Sequence, residues 1–529
     1  MERREFVKSA AAAGAGLLLL PSGTLFGQNA PSNKLNVALI GVWGRATVHY
    51  NILASENVVA LCDVNENRLA EGLQIFPKAK TYWDWRKCLE QKDIEAVVIC
   101  TADHHHAFIA NWTLNRGMHV YCEKPLGICV DEVRTVRANY IKQRSKVATQ
   151  QGTQRHAFPN FTRLRELILD GAIGELKTVS AWDTRRRGRP GYPPGEGQPP
   201  SFFHYDQWIG PSPYHPYTPQ YFSRSEAGSG CQAWNVFRDF GVGQMGDMGA
   251  HTMDIVWNVI DAGPATGIEV DMDASDKFDP NVVAVKLKAV YEHPKNSWRG
   301  PITVVWHQGG LRPEPPRDYI DLVTMPNGAI FEGTKGTIVA DFNSRIILPN
   351  NDDGDLTYYK RRSKEQLLPL MGGTGEVQSV RRPSAARGSS PASSAALAAR
   401  RASRGDDPAP TSDFYPVVLG PGGIPPEMLT PNGMIGRVSP GVVRGSVFQN
   451  DWLDACKGKN DKFAEGSSTK THCDFDYSGT MMEEMLLALV SHRMGKKILY
   501  DPVAGRITNA PEANDYLKRQ YRPGWTLNG

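Results

Sequence analysis

The sequence is poor in the features that define several classes of protein. Only eight of its 529 residues are Cys, and no two form a C-x-x-C pair, which excludes a disulfide-rich scaffold and gives a zinc ribbon no support. Basic and acidic residues nearly balance, 60 against 56, whereas nucleic-acid-binding domains are usually distinctly basic. A mean hydropathy of −0.40 excludes a polytopic membrane protein. The composition therefore indicates a large globular protein of two or three domains, with no nucleic-acid partner.

The N-terminus has the pattern of an export signal. Arg3 and Arg4 precede an apolar stretch at residues 10–20, an arrangement typical of secretory signals, and the paired arginines resemble a twin-arginine signal. We therefore predict that residues 1–30 are a twin-arginine-type signal peptide and that the mature protein is periplasmic, with no membrane span. Cleavage near Gly27 and retention as an uncleaved membrane anchor both remain open.

From residue 35 onward, short apolar runs alternate with amphipathic stretches. The runs have the length of buried strands, and they lie at residues 35–40, 58–62, 96–100, 118–122 and 146–149. Helical patterns such as 65–75 and 130–141 separate them. This alternation predicts a parallel sheet with helices on both faces, a Rossmann domain over residues 35–150. Ligands of such sheets bind beyond the carboxyl ends of the strands.

After residue 151 the pattern changes. Residues 189–235 are rich in Pro, Gly and aromatic residues and predict a long ordered loop. Longer strands, separated by turn residues typical of hairpins, are predicted at residues 282–291, 302–307 and 338–342. An amphipathic helix is predicted at residues 481–494. We therefore predict a second domain over residues 151–529 with a mainly antiparallel sheet.

The segment 379–410 belongs to neither pattern. It consists mostly of Ala, Ser, Arg and Pro, and its six Arg and two Asp give it the same charge, +4, as the whole chain. Such a composition cannot build a core, so we predict a low-complexity insertion that is disordered or exposed.

A glycine-rich turn follows the first predicted strand. Gly41 begins the sequence G-V-W-G-R-A, and Asp63 ends the second strand 22 residues later. In this context the pattern predicts a dinucleotide site, with a pyrophosphate at the helix N-terminus near Arg45 and with Asp63 accepting from the ribose hydroxyls. The charge of Asp63 would repel a 2′-phosphate and therefore favours NAD over NADP. Trp43 replaces the usual middle glycine, so an ordinary strand–turn–helix remains an alternative.

Two further motifs carry groups that can move protons. Lys124 stands in a Glu-Lys-Pro sequence after the fourth run, where a crevice lysine can donate or accept a proton. Asp247 and His251 lie four residues apart in a predicted helix at 246–260, so the carboxylate can orient the imidazole as a base. A surface ion pair and a helix cap beside a core histidine are the structural alternatives.

Three consecutive histidines, residues 104–106, follow Thr101 and Asp103. Successive positions do not converge on one ion, so we predict no metal site. We expect Asp103 or one histidine to face a cofactor, while the others cap or solvate the helix.

These residues together resemble the glucose–fructose oxidoreductase / inositol dehydrogenase / rhizopine catabolism (Gfo/Idh/MocA) family. The shared motifs begin at Gly41, Asp63, Thr101, Glu123 and Asp247, and the resemblance covers nearly the whole chain. The stretches 208–211 and 509–525 resemble its exported bacterial branch. Ala102 departs from the family, which has proline there. The resemblance implies a Rossmann domain, a nicotinamide cofactor and a sugar or polyol substrate. It also implies that the second domain is an α/β domain with an open, mainly antiparallel sheet, which would bind substrate and support a homo-oligomer.

The resemblance and the motifs define three sets of site residues. The catalytic set is Lys124, Asp247 and His251. The cofactor-binding set is Gly41, Trp43, Gly44, Arg45, Asp63, Arg68, Thr101, His104, Glu123 and Lys124. The substrate-binding candidates are Arg155, Trp208 and Trp234, because sugars stack on aromatic rings and accept hydrogen bonds from arginine.

The expected reaction is hydride transfer between NAD and a carbon of a sugar, polyol or glycoside, with the cofactor tightly bound. Either His251 or Lys124 would take the hydroxyl proton. One alternative is an NAD-assisted glycoside hydrolase or lyase that works through a transient ketone. Another is a non-catalytic sugar-binding protein on the same fold, which Trp43 favours, and a third is a scaffold that acts through residues 379–410.

Overall fold

The computed structural model describes residues 33–261, 263–350, 440–460 and 468–528. The predicted signal peptide, 1–30, and the predicted insertion, 379–410, lie outside the described residues and stay predictions. Within the part of the chain that is described, no helix has both the length and the apolar character needed to cross a bilayer.

The first domain is built on a six-stranded parallel sheet. Its strands are β1 (Asn36–Ile40), β2 (Asn57–Cys62), β3 (Lys80–Tyr82), β4 (Ala96–Ile99), β5 (His119–Cys122) and β6 (Thr149–Gln151). They lie in the order β3-β2-β1-β4-β5-β6, and every neighbouring pair is parallel. This confirms the predicted Rossmann fold. The sequence pattern missed β3, which has three residues and two of them exposed.

The helices of this domain follow the strands in alternation. They are α1 (Tyr50–Leu53), α2 (Glu66–Ile75), α3 (Trp85–Cys88), α4 (Asp103–Asn115) and α5 (Val130–Gln143). Asn65 fixes the start of α2 because its side chain accepts a hydrogen bond from Asn67 N, a typical N-cap. The glycine turn leads first into a 3-10 turn, Gly44–His49, and only then into α1.

The second domain contains a nine-stranded sheet. Its strands are β7 (Leu176–Asp183), β8 (Gly267–Val270), β9 (Leu287–His293), β10 (Ile302–Gln308), β11 (Asn327–Gly333), β12 (Gly336–Ala340), β13 (Arg345–Pro349), β14 (Ile498–Asp501) and β15 (Arg506–Ile507). Their order is β13-β12-β11-β7-β10-β9-β8-β14-β15, and among them only β7 and β10 pair in parallel. The predicted open, mainly antiparallel sheet is therefore confirmed.

Helices from the second half of the chain complete both domains. They are α6 (Pro159–Leu169), α7 (Tyr205–Ile209), α8 (Cys231–Trp234), α9 (Ala250–Ile260), α10 (Pro440–Cys456) and α11 (Tyr477–Met494). Helix α9 packs on β7 and β11, and α11 packs on β8 and on α5 of the first domain. A π-helical turn, Met245–Gly249, leads directly into α9.

Helix α10 belongs with the first sheet although it follows the second sheet in the chain. Its Phe448 and Trp452 are buried in the same core as Leu39 and Leu61 of the parallel sheet, and both rings make edge contacts with Tyr121 of β5. The chain therefore returns to the first domain after the second sheet. The division at residue 151 stays a prediction.

Gly41 provides a test of how tightly the ends of β1 and β4 pack. Its φ of +81° favours glycine, and an added Cβ would lie 2.6 Å from the carbonyl of Cys100. We expect Gly41→Ala to lower the free energy of unfolding by roughly 2–4 kcal/mol, because left-handed strain and overpacking add. Gly44 also has a positive φ, +64°, but no atom lies within 4 Å of its Cβ position. Gly44→Ala should therefore cost only about 1–2 kcal/mol. Denaturant unfolding of both variants measures the difference, and equal losses would contradict the packing argument.

Candidate active site

An ion pair joins the two domains at the carboxyl ends of the parallel strands. Lys124 follows β5, Asp247 lies in the π-helical turn before α9, and the Lys124 ammonium donates a short hydrogen bond to Asp247 Oδ1. The other oxygen, Oδ2, lies 3.4 Å from Gln232 Nε2 and 3.6 Å from Arg185 NH1. Because both side chains are largely shielded from water, each charge depends on the other for compensation.

The pair fixes the protonation states of its two members. Burial alone would lower the pKa of Lys124, but the Asp247 carboxylate outweighs burial and holds that pKa above its ordinary value. Burial alone would raise the pKa of Asp247, but the Lys124 ammonium and the Arg185 guanidinium hold it below its ordinary value. At neutral pH the site therefore holds an ammonium and a carboxylate.

His251 is the neutral member of the site. It lies in α9, and burial lowers its pKa well below the ordinary value, with Arg155 and Lys124 adding to the effect. Its Nδ1 is enclosed and has no hydrogen-bond partner among the described residues. The prediction that Asp247 orients His251 is not met, because the Asp247 carboxylate contacts Lys124, Gln232 and Arg185 instead.

The glycine turn has the shape that a pyrophosphate needs. Gly41 brings the turn against the end of β4, and the space beside Gly44 is open. Trp43 has φ −124° and ψ 171°, an extended conformation that does not require glycine. Its indole lies on the α2 side, 4.2 Å under the guanidinium of Arg68. No side chain caps the turn that begins at Gly44, so its first N–H groups remain available to an anion.

Asp63 is held at the end of β2, at the ribose position of a Rossmann domain. Its Oδ2 accepts from Val42 N and its Oδ1 from Asn65 N, each at 2.9 Å. Each oxygen keeps a lone pair for a ribose hydroxyl. Burial is the main cause that raises the pKa of Asp63 above its ordinary value. Arg68 nearby is paired with Glu71 at 2.7 Å and with Glu226, so two carboxylates compensate its charge.

Glu123 faces the glycine turn and not the second domain. Its Oε1 lies 3.0 Å from Arg45 Nε, 2.9 Å from His49 Nε2 and 3.0 Å from Gln154 Nε2. Gln449 of α10 in turn hydrogen-bonds His49 Nδ1 at 2.9 Å. Burial would raise the pKa of Glu123, but Arg45 and His49 lower it to about 2. Arg45 and Glu123, both predicted to bind cofactor, therefore form an ion pair beside the turn.

Of the two predicted residues that follow β4, His104 serves packing. Both ring nitrogens of His104 face carbonyl oxygens, that of Trp208 at 2.8 Å and that of Phe240 at 3.3 Å. The ring therefore packs in the core and is not a cofactor ligand. The carbonyl oxygen of Thr101 lies 3.0 Å from His106 Nε2. Local sequence could not reveal this, because the carbonyl partners of His104 lie more than a hundred residues away.

The predicted substrate-binding residues separate into two groups. Arg155 stacks over Phe342 at 4.3 Å and its charge acts on His251, which places it near the site. Trp208 and Trp234 are each only 4% exposed and pack in an aromatic cluster around His104. Their faces are not open to a sugar ring, so the predicted stacking role does not fit their burial.

Four functional groups near Lys124 were absent from the predicted set. Arg185 and Gln232 contact Asp247, as described above. Asp183 ends β7 fully buried, where burial raises its pKa to about 6. Cys231, at the start of α8, is exposed, and its thiol lies close enough to Asp247 and Lys124 to feel their charges. No predicted strand marked Asp183, because β7 lies in a stretch where the sequence analysis predicted no strand.

Two buried triads have metal-ligand chemistry. They are His49, Cys100 and Glu123, and His156, Asp254 and Cys473, each with its donor atoms within 4.8 Å of one another. In both, a carboxylate oxygen already pairs with the histidine at 2.9 Å. Hydrogen bonding accounts for these contacts, and the expectation of no metal stays a prediction.

A segment of the second domain covers the ribose end of the cleft. We call residues 202–227 the strap. Its backbone pairs with the residues that follow Asp63: Glu66 N donates to Phe202 O at 2.9 Å, and His204 N donates to Val64 O at 2.8 Å. Asn65 Nδ2 donates to Ala227 O at 3.0 Å. Together with the Arg68–Glu226 pair, these contacts tie the strap to the edge of the first domain.

The site combines a glycine turn, a carboxylate at the ribose position and an interdomain ammonium–carboxylate pair, all at the carboxyl ends of a parallel sheet. These features define the class of dinucleotide-binding α/β proteins. The chain matches "Oxidoreductase family, NAD-binding Rossmann fold" over residues 35–151 and "Oxidoreductase family, C-terminal alpha/beta domain" over residues 177–359. The protein belongs to the Gfo/Idh/MocA oxidoreductase family.

Curated relatives match only part of this chain. The chain is 30% identical over 147 residues to inositol 2-dehydrogenase of Salmonella typhimurium, a stretch that covers 27% of this chain and 43% of that enzyme. It is 34% identical over 146 residues to a glycosyl hydrolase family 109 protein of Stenotrophomonas maltophilia, covering 25% and 31%. The chain thus spans less than half the length of these curated relatives.

One solved structure has the same overall fold. It is the WlbA dehydrogenase of Bordetella pertussis in complex with NADH and UDP-GlcNAcA, with a TM-score of 0.52 at 12% identity over 88% of this chain and 98% of that chain. At this identity the likeness concerns the fold alone.

The ion pair of Glu123 with Arg45 predicts a specific loss of stability in acid. The pKa of Glu123 is depressed to about 2 from an ordinary value of 4.5, so its contribution is present above pH 4.5 and is lost as pH falls toward 2. This contribution is on the order of 3 kcal/mol. We expect Glu123→Gln to reduce the thermal midpoint more at about pH 6 than at about pH 3. Glu90→Gln, which removes an exposed partner of Lys87, is the control and should show little pH-dependent difference. A Glu123→Gln deficit of equal size at both pH values would contradict the ion-pair account.

Proposed function

We propose that the protein is an NAD-dependent oxidoreductase that transfers hydride to or from a carbon of a sugar or polyol. The observation that carries this proposal is the interdomain contact of Lys124 with Asp247, beside a neutral His251 and next to a glycine turn. The family and its inositol dehydrogenase relatives support the same chemistry. Because these relatives match only about a quarter of this chain, the substrate class is proposed by analogy with them.

The chain has the residues to hold NAD. Gly41 and Gly44 would let the pyrophosphate approach the turn, and Asp63 would accept from the ribose hydroxyls. When bound, NAD supplies the acceptor or donor of the hydride. Asp63 disfavours a 2′-phosphate, and Arg68, the nearby cation, is already paired with two carboxylates. These charges support NAD over NADP.

The remaining residues divide the proton chemistry between them. His251 is neutral at physiological pH and is therefore the base that can accept the hydroxyl proton. Lys124 is protonated, so it donates a hydrogen bond to the substrate oxygen as negative charge develops there. Asp247 keeps Lys124 charged and oriented. Of the two bases that the sequence leaves open, the geometry favours His251.

The strap supports a tightly retained cofactor. Its backbone hydrogen bonds and the Arg68–Glu226 pair cover the residues that follow Asp63, so nucleotide release at the ribose end would require these contacts to open. A protein of the same fold that only bound sugar would need neither this cover nor a buried ammonium–carboxylate pair, which is costly to keep. This contrast favours the enzyme over the non-catalytic alternative.

Lys124 gives the direct test of catalysis. We expect the purified protein to release NAD, and not NADP, on denaturation. Lys124→Met should lower turnover by roughly 10²- to 10⁴-fold, because the charged donor to the substrate oxygen is lost. Lys124→Arg, which keeps the charge, should recover part of the rate. Formation of reduced cofactor with a panel of inositols and sugars measures turnover, and nucleotide content measures binding.

Two results would overturn the enzyme proposal. One is purified protein that contains no nucleotide and shows no NAD binding by calorimetry. The other is Lys124→Met with unchanged turnover.

Glu226 tests the strap. Glu226→Gln removes one partner of Arg68 while Glu71 remains. We expect release of bound NADH to become about two- to fivefold faster, the effect of losing a partly exposed ion pair of up to about 1 kcal/mol. The fluorescence of bound NADH reports the release. Glu175→Gln, which removes an exposed partner of Lys177 in the second sheet, is the matched control. Equal release rates in all three proteins would exclude the strap as a barrier.

A further inference from the structure

His106, the last of the three consecutive histidines in α4, contacts the segment that carries Lys124. Its ring is 1% exposed and lies between two main-chain carbonyl groups. Nδ1 lies 2.7 Å from Pro125 O, and Nε2 lies 3.0 Å from Thr101 O. The imidazole thus joins the turn that follows β4 to the residue that follows Lys124.

The segment after β5 is anchored before and after Lys124. Before it, Glu123 N donates a hydrogen bond to Ile99 O at 2.9 Å. After it, the carbonyl group of Pro125 lies against His106. Because Lys124 lies between these two contacts, a shift of Pro125 would move the start of the Lys124 side chain as well.

The ring of Pro125 extends this contact to the second domain. A Cβ added at Gly246 would lie 3.0 Å from Pro125 Cγ and 3.3 Å from Pro125 Cβ, so the proline ring packs directly against Gly246. This glycine precedes Asp247, the partner of Lys124. Pro125 therefore touches the turn that holds the carboxylate, while its own carbonyl group is held by His106.

A neutral imidazole can donate a hydrogen bond to only one of the two carbonyl groups. Burial is the main cause that lowers the pKa of His106 below its ordinary value, so the ring is neutral at neutral pH and has one N–H group. The distance to Pro125 O is the shorter of the two, 2.7 Å against 3.0 Å, which favours the tautomer with the proton on Nδ1. The contact with Thr101 then contributes no hydrogen bond.

We propose that His106 is a positioning residue for catalysis, whose Nδ1–H group holds Pro125 and thereby fixes Lys124 against Asp247. The inference rests on the proposed oxidoreduction, because it concerns the rate of the step that needs Lys124. It gives a function to a histidine for which the sequence suggested a cofactor contact or a helix cap. Both of its ring nitrogens face main-chain carbonyl groups instead.

Two amide substitutions test which carbonyl group matters. The side-chain nitrogen of Asn can take nearly the position of imidazole Nδ1, and that of Gln the position of Nε2. His106→Asn therefore keeps the hydrogen bond to Pro125, whereas His106→Gln can serve only Thr101. We expect His106→Gln to lower kcat by roughly 10- to 10²-fold, because Lys124 is displaced, and His106→Asn to stay within about threefold of the wild type.

Nucleotide binding and a second histidine provide the controls. The glycine turn and Asp63 are untouched, so the Kd for NADH should stay within about twofold of the wild-type value in both variants. His119→Gln breaks the hydrogen bond that His119 Nδ1 accepts from Ala148 N at 2.9 Å, at the start of β5. It should lower the thermal midpoint and leave kcat unchanged, which separates lost stability from lost positioning.

A stability cycle tests the same contact without turnover. Lys124→Met should shift the urea midpoint by equal amounts in the wild type and in His106→Asn. It should shift the midpoint less in His106→Gln, because the ion pair is already displaced there. If the protein binds no nucleotide and oxidises no sugar, the proposed function fails, and this cycle still decides whether His106 acts on Lys124.

Several results would overturn the inference. Equal losses of kcat in His106→Asn and His106→Gln, or equal midpoint shifts in the cycle, would mean that the ring only fills the core. A loss confined to His106→Asn would mean that Thr101 is the carbonyl group that the ring holds. The wild-type protein, labelled with ¹⁵N at histidine, gives the answer even if neither variant folds. A proton on Nε2 of His106, and none on Nδ1, would exclude the proposed hydrogen bond.

Discussion

The ammonium of Lys124 and the carboxylate of Asp247 come from different domains and meet where water is largely excluded. Removing either charge from water costs several kcal/mol, and their contact offsets this only when the geometry is good. The parallel sheet brings Lys124 to its carboxyl edge, and the second sheet supports α9, which continues from the turn that contains Asp247. The position of one domain against the other is thus coupled to the protonation states at the site.

These protonation states determine the role of each remaining group. Burial is the main cause that keeps His251 neutral, and the charges of Arg155 and Lys124 add to it, so His251 is the base in the proposed reaction. In that reaction the Lys124 ammonium suits a substrate oxygen that gains negative charge. Because the charge of Lys124 acts on both Asp247 and His251, removing this cation would shift the pKa of both groups.

The sequence predicts the framework well, because the apolar runs that form β1, β2, β4 and β5 are buried on both faces. It predicts contacts less well. Asp247 and His251 are four residues apart, as in an α-helix, but Met245–Gly249 is a π-helical turn, in which this spacing no longer aligns side chains. The burial of Trp208 could not be inferred, because a loop rich in Pro and aromatic residues is compatible with an open or a packed arrangement.

The Glu-Lys-Pro sequence links the two halves of the cleft. Side chains of successive residues in an extended segment point to opposite sides, and a residue before proline is restricted to extended conformations. Glu123 therefore faces Arg45 and His49 at the glycine turn, while Lys124 faces Asp247 in the second domain. Through His49, Glu123 also contacts Gln449 of α10, 400 residues along the chain from that histidine. The contacts to the glycine turn and to Asp247 come from two neighbouring residues, so the position of one constrains that of the other.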